Sequence, residues 1–129
     1  MDADKNNIWV LAYTKQRSEE AAHFGSARQG LESYLPKYLK MRSHARKKEK
    51  VAYPLFPRYL FIKSCSLEDC SKIKKISGIS HLITTGSKPV TIPDEIIQDI
   101  QAYENKSGFV QGSLHENLFR IKKGRKLQD

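Results

Sequence analysis

Residues able to perform covalent or proton-transfer chemistry are few and scattered in this chain. The four histidines are His23, His44, His81 and His115, and the two cysteines are Cys65 and Cys70. A zinc-protease helix needs two histidines about one turn apart with a glutamate beside one of them, so that both rings reach one ion. Neither H-E-x-x-H nor H-x-x-E-H occurs. No glycine-rich loop is present to cradle a phosphate, and no nucleophile stands in a recognisable elbow. Cys65 and Cys70 have four residues between them, unlike a common zinc knuckle, and two cysteines are too few for a disulfide framework. Reduced, half-buried thiols are expected. His23 reads as a solvated helix residue, His44 as part of a basic tip, and His81 as a strand residue with a satisfied ring. The chain is therefore expected not to be an enzyme, and to need no metal and no cofactor.

Charge points elsewhere. Lys and Arg number 23 against 14 Asp and Glu in 129 residues, a formal net charge of +9. Such an excess attracts polyanions, above all nucleic acid. The excess is clustered: Lys37, Lys40, Arg42, Arg46, Lys47, Lys48 and Lys50 face a single acid, Glu49. Hydrophobic residues at 39 % of the chain suffice for one packed domain. No stretch approaches the roughly 18 to 20 apolar residues that span a membrane. The polar start, Met1 to Asn7, lacks the apolar segment of a secretory signal. A cytoplasmic protein without a membrane role is expected.

Hydrophobic periodicity supplies the elements that must position these groups. Ile8 to Thr14 predicts a strand with Trp9, Leu11 and Tyr13 on one face and Val10 and Ala12 on the other. Both faces are apolar, which suggests a central strand covered on both sides. A helix is expected from about Ser18 to Gln29, with Ser18 as its N-cap, Glu19 and Glu20 in the first turn, and Gly30 ending it. Glu32 to Lys40 reads as extended, and Met41 to Lys50 as the tip of a long hairpin or a loop. A strong strand follows from Arg58 to Ser64. A short helix runs from Ser66 to about Lys75, opened by Ser66-x-x-Asp69, with Ile73 and Ile76 turned to the core. Ile79 to Thr84 is a further strand, Thr85 to Pro89 a turn, and Asp94 to about Asn105 a last helix with Ile96, Ile97 and Ile100 at helical spacing. This order predicts an α+β fold, a mainly antiparallel sheet of four to five strands flanked by three helices, with a basic hairpin extension.

The most informative stretch is Pro54-Leu55-Phe56-Pro57-Arg58-Tyr59-Leu60-Phe61-Ile62. Two prolines bracket Leu55-Phe56, so this dipeptide is expected to be held extended and presented. Tyr59 and Phe61 share one strand face and, with Tyr13, would form a large aromatic surface. Either the last helix covers that surface or it marks a protein interface.

Five blocks, taken in order, resemble the landmarks of the NusG amino-terminal domain. They are Trp9 to Lys15, Gln29 to Pro36, Pro54 to Phe61, Gly78 to Leu82 and Pro89 to Pro93, and the likeness covers roughly Ile8 to Tyr103. Ile79-Ser80-His81 together with a basic hairpin looks more like the specialised RfaH-like branch. The resemblance implies a transcription elongation and antitermination factor that docks on the clamp helices of the largest subunit of RNA polymerase and suppresses pausing. The matching positions are Tyr13, Phe56, Tyr59 and Phe61, flanked by Ile97 and Ile100. It also implies contact with non-template or upstream DNA, with Lys15, Gln16, Arg17 and Ser18 after the first strand. Charge alone makes Arg42, Arg46, Lys47, Lys48, Lys72, Lys74 and Lys75 candidates for phosphate contact. A threonine-rich motif of RfaH is replaced by Asp69-Cys70-Ser71-Lys72. Residues 8–105 would form this domain, and 106–129 a linker and the start of a truncated KOW barrel at Leu118 to Gly124. The factor is expected to act as a monomer, reaching ribosome or termination factor only through a complete KOW module. The competing reading is a stand-alone nucleic-acid-binding domain without polymerase affinity.

Overall fold

The computed structural model describes residues 8–63 and 67–111. Its first element is β1 (Ile8–Thr14), followed by helix α1 (Glu19–Arg28), β2 (Ser33–Tyr34), β3 (Lys37–His44), β4 (Lys47–Pro54) and β5 (Tyr59–Lys63). Helix α2 (Leu67–Lys74), β6 (Ile79–Leu82), β7 (Thr84–Thr85), β8 (Lys88–Pro89), β9 (Thr91–Pro93) and helix α3 (Asp94–Gln101) complete the chain order. The α+β expectation holds, with three helices and a five-stranded antiparallel sheet. Compact packing divides the chain into two units.

In the first unit, residues up to Leu35 and Phe56 to Gln98, β1 is central. One of its edges carries β5, which in turn carries β2, and its other edge is shared by β6 and β9. Val10, Ala12, Leu60 and Ile62 on one face join Ala22 of α1, Ile73 of α2 and Ile76 just after α2 in a buried cluster. Ile73 and Ile76 are core residues, as their spacing requires. Cys70 packs partly buried against this cluster, whereas Cys65, Ser66 and His115 lie outside the described residues.

Helix α1 starts and stops near its expected limits, but Ser18 does not cap it through its side chain. The Ser18 hydroxyl donates to the Gln16 carbonyl instead, at 3.2 Å. Gly30 follows the helix with φ of 77°, a left-handed conformation that glycine adopts without a Cβ penalty. His23, expected to be solvated, is half-buried with Nδ1 2.6 Å from the Ser33 hydroxyl.

The second unit comprises Pro36 to Leu55 and the described residues from Asp99 onward. The basic run forms a full hairpin: β3 and β4 pair from Lys37↔Pro54 to His44↔Lys47. Ala45 and Arg46 connect them with φ of 50° and 69°, the two positive values that a type I′ hairpin turn demands. Among Lys106 to Gln111, expected as linker, the Val110 N–H donates to the Lys37 carbonyl at 2.8 Å. Asn105 Oδ1 accepts the Ser107 and Phe109 N–H groups at 2.9 and 3.0 Å. Residues 112–129, including the expected KOW start, lie outside the described residues.

Close helix packing yields a stability prediction. A Cβ placed on Gly25 of α1 would lie 2.7 Å from Cγ2 of Ile76. Gly25→Ala gains about 1 kcal/mol of helix propensity but forces a clash typically worth about 1–3 kcal/mol. Chemical denaturation should show net destabilisation, and adding Ile76→Val should recover little because Cγ2 remains, whereas Ile76→Ala should relieve the clash and make the two changes non-additive.

Candidate functional site

Register decides which side chains meet. Antiparallel pairing sets Leu11 opposite Phe61 and Tyr13 opposite Tyr59, so all four share the sheet face turned away from α1 and α2. Tyr13 and Tyr59 meet edge to face at 5.3 Å, and Phe56 and Phe61 do the same at 5.9 Å. Tyr34 of β2 adds a tilted contact with Phe61 at 6.3 Å. Trp9, Phe61 and Ile97 are buried here, with Leu11, Tyr34, Phe56 and Ile92 packed partly buried against them. Helix α3 therefore covers one end of this face.

That cover is fastened by a hydrogen bond. The indole Nε1 of Trp9 donates to Asp94 Oδ1 at 2.7 Å, and Gln98 Nε2 donates to Oδ2 at 2.6 Å. The Trp9 bond holds the Asp94 carboxyl below the ordinary aspartate range, against a partial desolvation that raises it. Gln98 and the Lys63 charge lower it further.

The expected exposed patch needs correction. Phe61 is 5 % exposed, sealed among Phe56, Tyr34 and Ile97. Ile97 and Ile100 are buried as well, while the outward isoleucine of α3 is Ile96, at 41 % exposure. Leu55 is buried rather than presented. Half-exposed on the face are Tyr34 and Ile92 and the row Leu11, Tyr13, Phe56 and Tyr59. His81 of β6 extends the row, exposed, with its ring 5.2 Å from Tyr13 and Nδ1 2.9 Å from the Ser80 hydroxyl.

Arg58 frames this row and was not singled out by sequence reasoning. The Tyr59 N–H donates to the Phe56 carbonyl at 3.1 Å, closing a four-residue turn with Pro57 second and Arg58 third. Arg58 has φ of 71°, the third-position geometry of a type II turn, which normally selects Gly or Asn. Its N–H donates to Glu19 Oε2 at 2.9 Å, and its carbonyl accepts the Thr14 N–H at 2.8 Å. The side chain turns back so that Nε donates to the Thr14 carbonyl at 3.1 Å, with the guanidinium carbon 4.4 Å from the Tyr13 ring centre. The legible signal was a proline followed by a bulky residue where a turn had to form.

The basic candidates fall into two groups. In the first unit, Lys15, Gln16 and Arg17 are exposed and Ser18 is half-buried. The Lys15 N–H donates to the Gly78 carbonyl at 2.7 Å, fastening this loop to the turn after α2. Lys74 and Lys75, exposed, and Lys72, half-buried, sit at the end of α2 leading into that turn. In the second unit, Arg42, Arg46, Lys47 and Lys48 are all exposed on the hairpin. Alternation puts Arg42 and Lys47 on one ribbon face and Lys48 on the other. Among the described residues no group of His, Cys, Asp and Glu could hold a metal ion, and no helix is long and apolar enough to cross a membrane.

Residues 7–101 match the family model described as transcription termination factor nusG. The chain belongs to the NusG family. That match coincides with the stretch expected from the five sequence blocks and makes this a transcription-factor domain, in a family that is not one of enzymes. A solved structure of Thermotoga maritima NusG, reported for its domain interaction, is similar at 17 % identity and a TM-score of 0.41. The similarity covers 67 % of this chain and 51 % of that one, so this NusG-family chain aligns with about half of that protein's length.

Burial separates core rings from surface rings in this NusG domain. Phe61→Ala should destabilise the fold by about 3–5 kcal/mol, as large-to-small core changes do. Tyr59→Ser should cost far less, because its ring is half in water already. Equilibrium unfolding of both variants checks this; equal losses would mean that Tyr59 is a core residue too.

Proposed function

We propose that this domain docks on the clamp helices of the largest RNA polymerase subunit through Leu11, Tyr13, Phe56 and Tyr59, and thereby suppresses pausing. The observation that carries the reading is the row of half-exposed rings ending where α3 stops covering the sheet. A helix pair laid on an apolar, aromatic surface is a familiar way to complete such burial. Phe61, Ile97 and Ile100 lie buried, so Phe61 and Ile97 pack beside the row instead of meeting the partner. The factor acts as a cytoplasmic monomer in this reading, and ribosome or termination-factor contact belongs to a KOW module.

DNA contact is the second half of the proposal. Lys15, Gln16, Arg17, Ser18, Lys72, Lys74 and Lys75 cluster about the junction of the first loop with the turn after α2, suited to the non-template strand. Arg42, Arg46, Lys47 and Lys48 line the hairpin, suited to phosphate on either strand. The hairpin's charge also favours a second reading, a nucleic-acid-binding domain without polymerase affinity. Purified clamp helices discriminate, because a pure nucleic-acid binder ignores them.

Tyr59→Ala combined with Phe56→Ala should weaken binding to the isolated clamp helices by tenfold or more, about 1.4 kcal/mol at the least. Circular dichroism must show the fold retained; undiminished affinity in a folded variant would remove the aromatic row from the mechanism. Neutralising Arg46, Lys47 and Lys48 should lower DNA crosslinking and reduce the salt slope by about 2–3 units, with clamp-helix affinity unchanged. An unaltered slope would take the hairpin out of the DNA interface.

A further inference from the structure

We infer that Arg58 selects the docking partner by pairing with a carboxylate that the docked helix carries beside its apolar ridge. The inference rests on the docking reading above and adds to it the charge chemistry of the partner.

Arg58 occupies the third position of a turn where Gly or Asn would sit with less backbone strain. A long cationic side chain kept at such a position asks for a reason beyond the turn itself. Part of the guanidinium is committed: Nε donates to the Thr14 carbonyl, and the plane lies over Tyr13. Among the described residues, the two terminal nitrogens meet no acceptor. Their four N–H groups are held at the rim of the row formed by Leu11, Tyr13, Phe56 and Tyr59. The anchored Nε and the ring contact remove much of the side-chain freedom that a surface arginine would lose on binding.

A docked apolar helix would strip water from this rim. An unpaired guanidinium there is strongly unfavourable, whereas a carboxylate meeting both terminal nitrogens forms a bidentate charge-assisted pair. Glu19 is bonded to Arg58 through its Oε2 and the Arg58 N–H, and among the described residues no ion pair joins an acid to the guanidinium. The acceptor must therefore come from the partner. A phosphate would satisfy the same nitrogens, but the rings beside them need an apolar protein surface, which favours a helix with an acidic residue at the edge of its ridge. The chain's net charge of +9 adds to the attraction for an acidic partner.

The test titrates the full chain with the purified clamp-helix hairpin of a bacterial RNA polymerase. Arg58→Gly and Arg58→Asn should leave the thermal midpoint unchanged or raised, since both relax the left-handed residue, yet bind the hairpin tenfold to a hundredfold more weakly. Arg58→Lys, keeping charge but losing the fork, should fall between. One Glu→Gln or Asp→Asn change in the hairpin should weaken the unaltered chain equally and add nothing further to Arg58→Gly. Undiminished binding by Arg58→Gly overturns the inference while leaving the docking reading intact. So does a loss confined to crosslinking of a single-stranded oligonucleotide, which would assign Arg58 to phosphate, or full additivity with every acid-to-amide change. A failure of the unaltered chain to bind the hairpin overturns both.

Discussion

The structure depends on β1 being apolar on both faces. A seven-residue strand of this kind is stable only if both faces are covered, and the two covers differ in completeness. Toward α1 and α2, Val10 and Ala12 are fully packed and even Thr14 is buried, its hydroxyl finding no hydrogen-bond partner among the described residues. Toward the other side the only helical cover among the described residues of the unit is α3. Eight helical residues span about 12 Å, whereas the seven of β1 span about 23 Å. However it is oriented, α3 can shield about half of that strand. The bond from Trp9 to Asp94 pins it to the Trp9 end. Tyr13 and Tyr59 lie beyond its reach, so the candidate site is the place where the fold runs out of its own cover.

The basic segments are held differently from this apolar row. The hairpin strands from Leu39 through Lys50 are exposed throughout, and their stability comes from ladder pairing and a matched turn rather than from a core. Lys15 to Ser18 are fixed differently, by a backbone bond to the turn after α2. The aromatic row rests on sheet packing, whereas the basic groups rest on loop bonds and a hairpin ladder, so different local interactions position each.

Much of this was legible because local and tertiary preferences agree. Ile8 to Thr14 alternates without a breaker, and the observed strand has the expected bounds. Gly30 and Gly78 sit in left-handed conformations where helices α1 and α2 give way to the following segments. What sequence could not decide was coverage. Tyr59 and Phe61 are equivalent by alternation, but Phe61 falls beneath Ile97, Tyr34 and Phe56, and that depends on where α3 lands. The hairpin register was equally hidden, since a ribbon with polar residues on both faces carries no period-two signal. Its turn, Ala45-Arg46, lacks the Asn-Gly or Asp-Gly chemistry that would announce it.

Strain ties these features together. Among the described non-glycine residues, only Arg17, Ala45, Arg46 and Arg58 have positive φ. Three of the four are arginines, a residue type with no intrinsic liking for that region. Two of them fill the same place in the same motif. The Ser18 N–H donates to the Lys15 carbonyl at 3.0 Å and the Tyr59 N–H to the Phe56 carbonyl at 3.1 Å, with Arg17 and Arg58 third in their turns. Non-glycine residues in left-handed backbone cost on the order of 1 kcal/mol each and persist where surrounding bonds over-determine them. At Arg58 those bonds are explicit, since Thr14 and Glu19 hold its backbone from two sides. A fold selected for stability alone would place glycine there. Keeping cations at tight turns beside an aromatic row and a basic loop fixes where positive charge is displayed, at the expense of some stability.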